Sequence, residues 1–164
     1  MKKIILIVMI AIVGVQCGQE EQGETSAQEK QSESTKEVDN GEPWAEDQLL
    51  DPAILAATLE DEEKDNPYVF SLFYGGIEHS ETFGPVRDKE NLAKLRERLE
   101  DIPRDAEVVV YCGCCPFKDC PNVRPGFALL NEMGFSNHKL LNLSENLKVD
   151  WIEKGYPTQE EDEI

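Results

Sequence analysis

Four cysteines crowd into one short segment, Cys112, Cys114, Cys115 and Cys120, directly after the run Val108-Val109-Val110-Tyr111. A thiol becomes a nucleophile or a metal ligand once it loses its proton, and it loses it most easily beside backbone N–H donors, cations or a helix N-terminus. Cys112 stands where an apolar strand ends, so it is the candidate catalytic thiol and is expected to face the amides of the following loop. Cys114, Cys115 and Cys120 are candidate resolving thiols. Gly113 suits a tight loop that leaves the sulfur accessible, and Lys118 and Arg124 are the nearby cations in sequence, candidate binders of an anionic substrate.

The same residues admit two other chemistries. Four thiolates at Cys112, Cys114, Cys115 and Cys120 are the number that zinc or an iron–sulfur cluster takes. Against this, adjacent Cys114 and Cys115 are awkward on one tetrahedral centre, and paired C-x-x-C knuckles are absent; a site shared with His79 or His138 is an alternative, though a lone histidine is more often a surface or capping residue. No metal is favoured and no cofactor is called for. Cys112-Gly113-Cys114-Cys115 also holds a C-x-x-C after a strand, which suits thiol–disulfide exchange. A true thioredoxin arrangement is disfavoured because most of the sheet precedes the motif. A third alternative keeps some cysteines as structural disulfides on a domain that only binds.

The elements that must position these thiols alternate between strand and helix. Asp51-Pro52 reads as N-cap and N1 of a helix running to about Leu59. Pro67 to Phe73 has the bulk of a strand, closed by Gly75-Gly76. Leu92, Leu95 and Leu99 give Lys89 to Glu100 one apolar helical stripe. Val108 to Val110 lacks polar alternation, so both its faces are expected to be covered, as in a parallel sheet flanked by helices. Past the cysteine loop, which runs to about Asn122, a helix with Phe127, Leu129, Leu130 and Met133 ends at Gly134. A strand from His138 to Leu143 and a helix from Leu147 to Lys154, stopped by Gly155, complete an α/β order.

The chain has 164 residues, 34 acidic against 16 basic, for a formal charge of −18. That balance excludes nucleic-acid binding through phosphate contacts, which needs a basic footprint. Lys2 and Lys3 followed by the apolar run Ile4 to Val13 read as an export signal, residues 1–16. Gly14-Val15-Gln16-Cys17 resembles a bacterial lipobox, which implies a lipid on Cys17 and a membrane-anchored lipoprotein facing the periplasm or cell exterior. Residues 17–42 carry almost no apolar side chains and are expected to form a disordered acidic tether. The folded domain is expected over 43–158, with an acidic tail at 159–164.

Within that domain the sequence resembles the rhodanese family of sulfurtransferases. Val108-Val109-Val110-Tyr111-Cys112 is similar to the strand that delivers the family's catalytic cysteine. Gly75-Gly76-Ile77-Glu78-His79-Ser80 is similar to its Gly-His-Ile-x-Gly-Ala turn. Met133-Gly134-Phe135, Lys139-Leu140-Leu141, Trp151 and Gly155-Tyr156-Pro157 are similar to its closing helix–strand–helix. Lys118 stands where family members place an arginine, Ser71-Leu72-Phe73 replaces an Asp-x-Arg, and the loop is longer. The resemblance implies a three-layer sandwich with a mostly parallel central sheet, and sulfane sulfur carried as a persulfide on Cys112. It also implies a small sulfur-containing donor and a thiol acceptor as partners of a monomer.

Overall fold

A computed structural model describes residues 41–159 of the chain. The signal, Cys17 and nearly all of the expected tether and tail lie outside the described residues. Five strands, β1 (Leu49–Leu50), β2 (Tyr68–Ser71), β3 (Ser80–Thr82), β4 (Val108–Tyr111) and β5 (His138–Leu141), form one sheet in the order β1-β5-β4-β2-β3. Every neighbouring pair is parallel, and β4 sits at the centre with Val110 opposite both Phe70 and Leu140. Parallel strands need crossovers, which the helices α1 (Pro52–Leu59), α2 (Lys89–Glu100), α3 (Val123–Glu132) and α4 (Leu147–Asp150) help to supply.

The central strand explains the layering. Val108, Val109, Val110 and Tyr111 are all fully buried, because a strand with no polar alternation can be satisfied only by apolar cover on both sides. Val108 and Val110 point to the layer that holds Leu95 and Leu99 of α2 and Phe127 and Leu130 of α3. Val109 and Tyr111 point to the opposite layer, with Leu55 and Leu59 of α1 and Leu147 of α4. Each such side chain contributes roughly 1.5–3 kcal/mol when taken from water. The expected three-layer α/β architecture is therefore present.

Local chemistry accounts for the helix ends. Asp51 caps α1 by accepting the Ala53 N–H at 2.8 Å, with Pro52 at the first helical position. Gly134 and Gly155 take the left-handed conformation after α3 and after the last turn, at φ 77° and 73°. Three boundaries differ from expectation. The strand expected to Phe73 stops at Ser71, after which the Leu72 carbonyl accepts from Val86 and the chain turns away. The strand expected to Leu143 ends at Leu141. The expected last helix is interrupted at Trp151, whose φ and ψ are −131° and −63°, and resumes as a 3₁₀ turn over Ile152–Lys154. The two edge strands β1 and β3, two and three residues long, had too little pattern to be read from sequence.

Candidate functional site

The pleat of β4 decides where the cysteine loop begins. Cys112 continues the alternation of Val108 and Val110, so its side chain enters the layer of α2 and α3 and is 1% exposed. The next residue is pinned at both ends: Gly113 N–H donates to the Tyr74 carbonyl at 3.2 Å, and its own carbonyl accepts from Leu147 N–H at 3.1 Å. No side chain fits there. A Cβ on Gly113 would lie 2.7 Å from the Tyr74 oxygen and 2.9 Å from Leu147 Cβ.

The loop then returns over its own start. Phe117–Asp119 form a 3₁₀ turn, with Phe117 N–H donating to the Leu143 carbonyl at 3.1 Å, and α3 begins at Val123. Trp44 packs edge-on against Phe117 and Phe127 at ring distances of 6.0 and 5.8 Å, clamping loop and helix from outside. The result is a cluster of free thiols. Cys112 Sγ lies 3.3 Å from Cys114 Sγ, and Cys114 Sγ lies 3.2 Å from Cys115 Sγ. The sulfurs of Cys112, Cys114 and Cys120 all fall within 4.8 Å of one another. Cys112 and Cys120 are buried, Cys115 is half-buried and Cys114 is exposed. Cys114 also lines a surface groove of about 480 Å³ with Tyr74, Leu147, Lys148 and Ile152.

Sequence reasoning missed Asn122, which is 2% exposed beside the sulfurs. Its Oδ1 accepts the Arg87 N–H at 3.1 Å, and that bond turns the Nδ2 toward Cys112 and Cys120, 3.9 Å from each sulfur. Asn122 stands at the N-cap position of α3 yet makes no side-chain cap. An N-cap asparagine at the end of a cysteine loop was the signal available in the sequence.

Cys112 is not the accessible thiol that its place after the central strand leads one to expect: it is buried, and Cys114 stands at the surface. The Cys114 N–H acts on Cys112 in favour of the thiolate, but larger effects outweigh it. Cys112 is pushed well above the ordinary thiol value, first because its S–H is held by Cys120 and then by burial. Cys120 moves the other way, down to about 5, because it accepts from Cys112 and from the N–H groups of Asn122 and Val123 at the start of α3. Both shifts favour placing the pair's negative charge on Cys120. Burial and the neighbouring Cys114 push Cys115 up to about 12.

No known protein family, curated protein or solved structure matches this chain. The fold and the thiol cluster thus stand on the coordinates alone. The cations expected to hold an anion are occupied elsewhere. Arg124 donates to Glu42 at 2.6 Å and to the Lys118 carbonyl at 2.8 Å, its guanidinium over Trp44, and the Lys118 ammonium lies over the Phe117 ring. Neither histidine joins the thiols in the group of close ligand atoms found among the described residues. His79 is exposed in the turn before β3, and His138 Nε2 contacts Asn131 Oδ1 at 2.8 Å.

Proposed function

We propose that the chain is a rhodanese-like sulfurtransferase that moves sulfane sulfur from the exposed Cys114 to the buried Cys112. The observation that carries this reading is the 3.3 Å separation between a thiol at the surface and one in the core. It is supported by the sequence's resemblance to the family and by a parallel α/β sheet whose central strand ends immediately before Cys112.

In the first step the Cys114 thiolate attacks the outer sulfur of a donor such as thiosulfate. A sulfur–sulfur bond forms, the donor's own bond breaks, and sulfite leaves with its electron pair. In the second step Cys112 attacks the outer sulfur of the Cys114 persulfide while its proton passes to Cys120, whose sulfur lies within 4.8 Å, and Cys114 is released as thiolate. An external thiol acceptor takes the sulfur by the reverse route. Asn122 Nδ2 lies 3.9 Å from the sulfurs of Cys112 and Cys120, the pair between which the proton passes. The same proposal places the domain on a lipid anchor at Cys17, outside the cytoplasm.

Intact mass measured after thiosulfate and again after cyanide tests it. The wild-type chain is expected to gain one sulfur and lose it to cyanide. Cys114→Ser is expected to stay unloaded, and Cys112→Ser to load on Cys114 alone. Loading of Cys114→Ser at the wild-type rate would overturn the order of transfer, and no loading of the wild type would overturn the activity.

A further inference from the structure

We infer that Cys112, Cys114 and Cys120 form a three-thiolate site for a thiophilic divalent ion, Zn²⁺, with Cys115 left out. The inference is independent of sulfur transfer. A bound ion would occupy the same sulfur lone pairs and block loading of Cys112.

Distance is the first argument. With Zn–S bonds of about 2.3 Å, two thiolates on one ion sit roughly 3.8 Å apart in a tetrahedral site and roughly 4.0 Å apart in a trigonal one. The three sulfurs already span from 3.3 Å up to no more than 4.8 Å, on either side of those values. Shifts of less than about 1 Å bring them onto a common centre. Cys115 contacts Cys114 at 3.2 Å but falls outside that mutually close set, and it packs against the core instead.

Charge is the second argument. Three thiolates and Zn²⁺ leave one net negative charge in a buried place, which needs compensation. The structure supplies it through the oriented Asn122 Nδ2, the Cys114 amide and the Asn122 and Val123 amides at the start of α3. A monovalent ion would leave two negative charges facing the same donors, so the divalent ion fits better. Coordination replaces each remaining S–H by S–Zn, and the protons pass to solvent. Cys114, the exposed member of the set, lines the surface groove from which an ion would enter.

The test uses the full chain, reduced and carrying Cys17→Ala so that the remaining thiol is removed. Zn²⁺ is titrated in competition with a chromophoric chelator, and Cd²⁺ is titrated separately for its ultraviolet thiolate-to-metal absorption. One ion per chain is expected, with binding within twofold of this parent in Cys115→Ser and weaker by roughly tenfold in Asn122→Ala. Cys114→Ser changes an exposed side chain and keeps the fold, which circular dichroism verifies, and it is expected to abolish stoichiometric binding. Retention of the parent's affinity by Cys114→Ser overturns the site, as does absence of an ion in the parent. Equal loss in Cys115→Ser overturns the three-thiolate assignment.

Discussion

Asn122 aims its side-chain amide at Cys120, with Nδ2 3.9 Å from Sγ, and the Arg87 N–H holds that amide in place from behind. The donor is fixed before any charge appears on sulfur, which is the condition for an interaction that costs no reorganisation during reaction. Asn122→Asp keeps the bond from Arg87 and replaces the donor with a carboxylate. The Cys120 thiolate is expected to take up its proton at least about one pH unit higher, since one unit is 1.36 kcal/mol and close like charges exceed that. Ultraviolet thiolate absorbance followed against pH measures this, and an unmoved midpoint would remove Asn122 from the site.

The two buried thiols make stability depend on pH in opposite directions. Cys120 is depressed from an ordinary 9.0 to about 5, so between those values the folded chain has released a proton that the unfolded chain keeps. Its contribution is full above 9.0 and is lost as pH falls toward 5. Cys112 is raised, so its contribution is full below 9.0 and is lost as pH climbs above it. Urea unfolding of the metal-free protein is expected to show stability rising from pH 5 to 9 relative to Cys120→Ser; parallel profiles for the two proteins would contradict the charge assignment.

Gly113→Ala is expected to destabilise the fold by about 1–3 kcal/mol, because the new methyl meets a backbone oxygen that cannot swing aside. Gly126→Ala, inside α3, provides the contrast. Its methyl would meet the Leu72 side chain, at 2.8 and 2.9 Å from the two methyl tips, which can give way more readily than backbone, and a gain of up to about 1 kcal/mol in helix propensity offsets part of the displacement. Chemical denaturation of both variants is expected to rank Gly113→Ala clearly below Gly126→Ala.

Leu95→Ala and Trp44→Ala separate core from site. Leu95 is fully buried under the sheet, and its truncation is expected to cost about 2–5 kcal/mol while leaving the thiols as they are in the folded fraction. Trp44 clamps Phe117, so Trp44→Ala is expected to cost about 3–5 kcal/mol and also to speed alkylation of Cys120, which is shielded in the intact protein. Peptide-resolved alkylation under native conditions distinguishes the two. Equal shielding of Cys120 in both variants would show that the loop holds its shape without Trp44.

The alternation of helix and strand, the caps at Asp51, Gly134 and Gly155, and the covered central strand were all legible in the sequence. Each rests on a local preference or on a period repeated along a few residues. The edge strands were not legible, since pairs and triplets of residues become strands only when a neighbour supplies the hydrogen bonds.

At the site the amino-acid order alone determined that four thiols follow the central strand closely enough to share one loop, and that β4 must be covered on both faces. It also determined, through the parity of Val108, Val110 and Cys112, that Cys112 shares a face with those valines. Which layer that face meets was decided only when the chain folded. The turn that leads into α3 brings Cys120 and Asn122 to that same layer beside Cys112, which favours placing the negative charge on Cys120 and leaves Cys114 at the surface. A thiol's ionisation depends on the donors and charges packed around it in three dimensions, and for Cys112 these include Cys120 and Asn122, 8 and 10 positions further along the chain.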